Sequence, residues 1–215
     1  MRTIAAVTLC ACLLAPAADA GHGRAGAGDD AARLAACPVE GDARVPSVRA
    51  LNILKRRMSV PGDIDSAVSL AAMLAPGDDT GRFDARKGAT VEGYVADVKV
   101  GGVESVNCHT HDPAYRDTHI ELTLDPLHDA GSKHVIVEVT PQWRATMAAE
   151  GIDWDTPALR ATLRGHWVRV TGWLLFDVEH ADAAANTAPD APHLWRATVW
   201  ELHPVTSIEV LPGQP

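Results

Sequence analysis

From Ala89 onward the chain adopts a two-residue period. In ATVEGYVADVKV (89–100), Val91, Gly93 and Val95 alternate with Glu92, Tyr94 and Ala96, and Gly101-Gly102 closes the run. HIELTL (119–124) puts Ile120, Leu122 and Leu124 on one side, and HVIVEVT (134–140) does the same with Val135, Val137 and Val139. Such alternation marks strands that hold one face against a core. PALRATL (157–163) reads as a helix capped by Asp155 or Thr156. WVRVTGWLLF (167–176) and WRATVWELHPVTSIEV (195–210) then give two further strands. A break is expected at Pro204, because proline has no N–H to donate to a ladder. Three strands, a helix and two strands is the element order of the OB-fold, a five-stranded partly open barrel. Gly93 and Gly172 fall mid-strand, where a small barrel must bend. The expected class is mainly β with short helices, an OB-like barrel over 88–211. A sandwich fragment with an intervening helix fits the same order.

Ahead of the barrel, residues 45–87 read as a helical pair. PSVRALNILKRRM (46–58) spaces Val48, Leu51 and Leu54 for one helix face, with Arg and Lys on the other. Asp63 or Asp65 caps a second helix through Val68, Leu70, Met73 and Leu74, which Pro76-Gly77 stops. Two short helices cannot bury themselves alone, so they are expected to pack on the strands.

Residues 1–20 have the three parts of a secretory signal peptide: Met1-Arg2, the apolar run Ile4–Leu14, and Ala18-Asp19-Ala20 before Gly21. A lipidated variant at Cys12 is the alternative to cleavage after Ala20. Residues 21–44, rich in Gly, Ala and Asp without periodicity, are expected to form a disordered leader. The implied location is periplasmic or secreted. Cleavage leaves Cys37 and Cys108 as the mature cysteines, and in an oxidising compartment that pair reads as a disulfide. The rival reading makes Cys108, within NCHTHD (107–112), a metal ligand.

The segments Gly93-Tyr94-Val95 and DTHIEL (117–122), with the ending WRAT (195–198) and WELHPVT (200–206), resemble a group of exported bacterial OB-fold-like proteins of unassigned function. The resemblance spans roughly 48–211 and implies export and an OB-like barrel, without a reaction or catalytic residues. A likeness to staphylococcal-type nucleases exists at fold level alone. Their Asp/Arg/Glu active-site motif is absent, so nuclease activity is not carried across.

The formal charge of −9, with 28 acidic against 19 basic residues, argues against nucleic acid as a partner, since phosphate binding needs clustered basic charge. No apolar run beyond the N-terminus reaches the length of a membrane helix, so no transmembrane anchor is expected in the mature chain. Ten histidines point toward chemistry. They concentrate in the two loops that flank an OB binding face. Loop 101–119 holds Cys108, His109, His111, Asp112, Asp117 and His119, and loop 177–194 holds Asp177, Glu179, His180, Asp182 and His193. Imidazole and carboxylate groups hold Zn and similar divalent ions when three or four converge. The metal candidates are His109, His111, His119 and His180. The ligand-binding candidates are His111, His119, His180 and Glu179, with Trp173 and Trp200 as stacking surfaces. Two functions stay open. One is an exported binding or accessory protein contacting a small ligand or partner protein through these loops. The other is a metal-dependent hydrolase with Glu121 or Glu179 as general base.

Overall fold

The computed structural model describes residues 27–127 and 130–215. The expected signal peptide, and any lipidation at Cys12, lie outside them. Five strands close into a barrel: β1 (Gly88–Val100), β2 (Thr118–Thr123), β3 (Val135–Val139), β4 (Trp167–Phe176) and β5 (Trp200–Val210), in the order β1-β2-β3-β5-β4. Neighbours run antiparallel except β3 and β5, which meet in parallel with Val137 opposite Leu202. This is the OB-like arrangement. The alternating apolar residues fill the interior: Val91, Val95, Val98, Ile120, Leu122, Val137, Val139, Val168, Val170, Leu174, Leu202 and Val205 are almost wholly buried. No described helix is long and apolar enough to cross a membrane.

Short helices finish the barrel. α1 (Ala27–Ala36), α2 (Pro46–Lys55) and α3 (Leu70–Leu74) precede it, and α4 (Pro141–Ala149) and α5 (Thr156–Leu163) lie between β3 and β4. Leu70 and Met73 of α3 join the core together with Leu159 and Leu163 of α5. Gly93 makes room for this packing, because a Cβ there would fall 2.4 Å from Leu70 Cδ2. Gly172 sits at a register irregularity against β5, and its missing side chain lets the Pro204 carbonyl approach.

Several expectations need correction. Residues 27–44 are not a disordered leader. They hold α1, are bridged to the barrel by Cys37–Cys108, and place the Asp30 carboxylate to accept from the His111 and Asp112 N–H groups at 2.8 and 2.7 Å. The second expected helix shrinks to Leu70–Leu74, because Ser69 caps it at Ala72 and Ile64 bridges Gly88 instead of coiling. β5 begins at Trp200 rather than Trp195, since Arg196 is drawn into a bridge with Ala184. Nor does Pro204 break that strand. Gly172 faces Val205 and Leu174 faces Leu202, so Pro204 occupies the irregularity where no ladder donor is needed. α4 was not expected. Thr140 caps it and Pro141 starts it.

Candidate functional site

Alternation turns His119 and Glu121 of β2, Glu138 of β3, and Glu201 and His203 of β5 away from the apolar interior. On an uncovered barrel these groups would be solvated. Here none exceeds 8% exposure. Three segments lie over them. α2 contributes Lys55, the 101–117 loop contributes Glu104, Asn107 and Asp117, and the connection between β4 and β5 contributes Asp177, His180, Trp195 and Arg196.

The result is a buried ionic layer. Lys55 was expected on the outward side of α2 but points inward, with Nζ 2.9 Å from Glu104 and 3.8–3.9 Å from Glu179 and Asp177. The Arg196 guanidinium donates to the Thr198 and Val199 carbonyls and to Glu201 Oε2 at 3.0 Å, and lies 3.4 Å from Asp177. Both cations are 1% exposed. His203 is wholly buried, with Nδ1 3.1 Å from Glu201 Oε1 and 3.4 Å from Glu138 Oε2, and Nε2 3.5 Å from Asp117 Oδ2. His119 meets Glu138 at 3.2 Å, across the register that pairs them on β2 and β3. Glu121 takes His134 at 2.9 Å and Lys99 at the rim.

These neighbours displace the titrations. Burial raises the Asp117 carboxyl, against the pull of His203. Burial would also raise Glu138, but His119, His203 and Lys55 draw it down. Desolvation works against protonated His203, yet Glu201, Glu138 and Asp117 together raise its pKa. Asp177 is held far down by Lys55, His180 and Arg196 despite its burial. Buried ion pairs of this kind seldom add net stability, because desolvation cancels much of the attraction. Clusters of displaced carboxyl and imidazole groups are, in contrast, common at functional sites.

One subset has ligand geometry. Asp117, Glu138 and His203 each offer a donor atom, all within 4.8 Å of one another, the sole group of at least three such residues among the described ones. The expected ligands His109, His111, His119 and His180 are not brought together in this way. His109 is exposed and pairs with Asp42, and His111 is exposed while its backbone holds Asp30. His180 binds Asp177 and packs edge-on to Trp195, and His119 lies in the layer beside Glu138. The two tryptophans are not open stacking surfaces. Trp200 is 3% exposed, packs on Phe83 and Phe176, and donates to the Asp79 carbonyl. Trp173 donates to the Ser59 carbonyl and is covered by Arg57, whose Cζ stands 4.3 Å from the ring centre. Glu138 went unnoticed in the sequence because one charged residue amid VIVEVT reads as a solvated position. Glu104, Lys55 and Arg196 were missed for the same reason.

The flanking loops do meet. Ser105 and His109 from the first and Glu179 from the second line a cleft of about 470 Å³, whose third wall is Asp42, Ala43, Arg44, Val45 and Val48. No protein-family model matches this chain, and no curated protein does. Among solved structures, asparaginyl-tRNA synthetase from Entamoeba histolytica is similar over 66% of this chain at 13% identity, with a TM-score of 0.34. The match covers 24% of that chain, so the present one spans about a quarter of its length. The strand order by itself defines the class as an OB-like barrel, here with a buried ionic layer over β2, β3 and β5.

Proposed function

We propose that this chain is an exported binding or accessory protein that takes a small polar ligand where loops 101–119 and 177–194 meet. The cleft between Ser105, His109, Glu179 and Arg44 carries this reading. It has the size usual for small-molecule sites, and its wall combines an imidazole, a guanidinium, carboxylates and two valines. OB-like barrels use the corresponding loops for recognition. Export is supported by the N-terminal signal pattern and by the Cys37–Cys108 bridge, which belongs to oxidising compartments. The hydrolase alternative finds less support. Asp117, Glu138 and His203 are at most 6% exposed, whereas a catalytic metal keeps a position open to water and substrate.

The test is a titration of the ¹⁵N-labelled chain with short oligopeptides and oligosaccharides, followed by amide shifts. A bound member of either panel is expected to move Arg44, Ser105, His109 and Glu179. A ligand whose shifts cluster on another face would overturn this location.

A further inference from the structure

We propose that Asp117, Glu138 and His203 form a buried divalent-cation site that accepts Zn²⁺ or a similar first-row ion. It is independent of the cleft and of any ligand there. Two observations beyond the clustering of acids point to an ion. Asp117 Oδ2 and His203 Nε2 are buried without a hydrogen-bond partner, although their residues are 4% and 0% exposed. An unsatisfied buried pair of this kind is costly unless something satisfies both atoms. Their separation of 3.5 Å is too long for a good hydrogen bond. It matches the ligand–ligand edge of tetrahedral zinc, about 3.4 Å for bonds of about 2.1 Å.

The surroundings have the form expected around a metal-bound histidine. His203 Nδ1 lies 3.1 Å from Glu201 Oε1, and Arg196 fixes the other oxygen of Glu201 at 3.0 Å. That carboxylate orients the ring and leaves Nε2 to face Asp117. Asn107 donates to Asp117 Oδ1 at 3.1 Å, which leaves Oδ2 for the ion. The layer's charge agrees. Glu104, Asp117, Glu121, Glu138, Asp177, Glu179 and Glu201 outnumber the fixed cations that act on them, which are Lys55 and Arg196 within the layer, Lys99 beside Glu121, and Arg56 and Arg144 near Asp117.

The donor set chooses the ion class. Cys108 is in a disulfide, so no thiolate favours a soft ion. One imidazole with two carboxylates suits Zn²⁺, Mn²⁺ or Fe²⁺ better than Ca²⁺, which seeks six to eight oxygens. A closed site holds structure, and this one would pin the end of the 101–117 loop to β3 and β5.

The test uses the full chain, purified without a histidine tag and stripped with EDTA. Zn²⁺ is followed by calorimetry and melting temperature, and Co²⁺ by its visible ligand-field bands. About one equivalent of ion should bind, and it should raise the melting temperature. Asp117→Asn and Glu138→Gln should each weaken binding at least about tenfold, and His166→Ala, far from the layer, should not. Unchanged binding in both carboxylate variants would place the ion on surface histidines and overturn the proposal. If those variants do not fold, the wild-type chain decides: Co²⁺ bands with a raised melting temperature support the site, and their absence refutes it. Ligand shifts in the cleft are measured separately, so either reading can fail alone.

Discussion

Opening the Cys37–Cys108 bridge tests how the N-terminal arm is held. The two cysteines are 71 residues apart in sequence and their Cα atoms 5.8 Å apart in space. Cross-linking a loop of that length removes unfolded-state entropy worth about 4 kcal/mol at 25 °C in the chain-entropy treatment. The arm has other anchors. Asp30 accepts two backbone N–H groups from residues 111 and 112, and Arg56 donates to the Pro38 carbonyl at 2.6 Å. Folded geometry should therefore survive the loss, and the change should appear in the unfolded state. A Cys37→Ser/Cys108→Ser double variant is expected to lose about 2–4 kcal/mol in urea unfolding. For a domain of this size that lowers the melting temperature by roughly 10 °C. A loss below about 1 kcal/mol would refute the argument that the bridge restrains the unfolded chain.

Three further outcomes are expected. Lys55→Met leaves Glu104 and Asp177 facing an uncompensated buried layer and should cost about 3–5 kcal/mol, measured by urea unfolding. Burial alone would raise Glu121, but His134 and Lys99 hold it at about 2. Because this folded pKa lies below the unfolded one, its stabilisation is present above about pH 4.5 and is lost as pH falls toward 2. Glu121→Gln should thus flatten the acid limb of a stability–pH curve, and an unchanged limb would count against the assignment. The intact mass of the exported chain should correspond to a start at Gly21, and an uncleaved or lipidated N-terminus would contradict that reading.

Barrel order was written locally. Each strand carries its own alternation, and turn residues such as Gly101-Gly102 and Asp125-Pro126 punctuate it, so five strands with a helix between the third and fourth could be read without any long-range contact. The cysteine pairing was legible as one of two readings of Cys108, since Cys37 and Cys108 are the two cysteines beyond residue 20. The ionic layer was not. Lys55, Glu104, Asp117, Glu138, Asp177, Arg196, Glu201 and His203 come from segments scattered over nearly 150 residues, and each alone looks like a solvated surface position. In the sequence Glu138 and His203 are simply the polar half of an alternating strand. Their burial depends on α2 and two loops folding across the outer face of β2, β3 and β5. Periodicity tells which side of a strand leaves the core, and only tertiary structure decides whether water or other side chains meet it there.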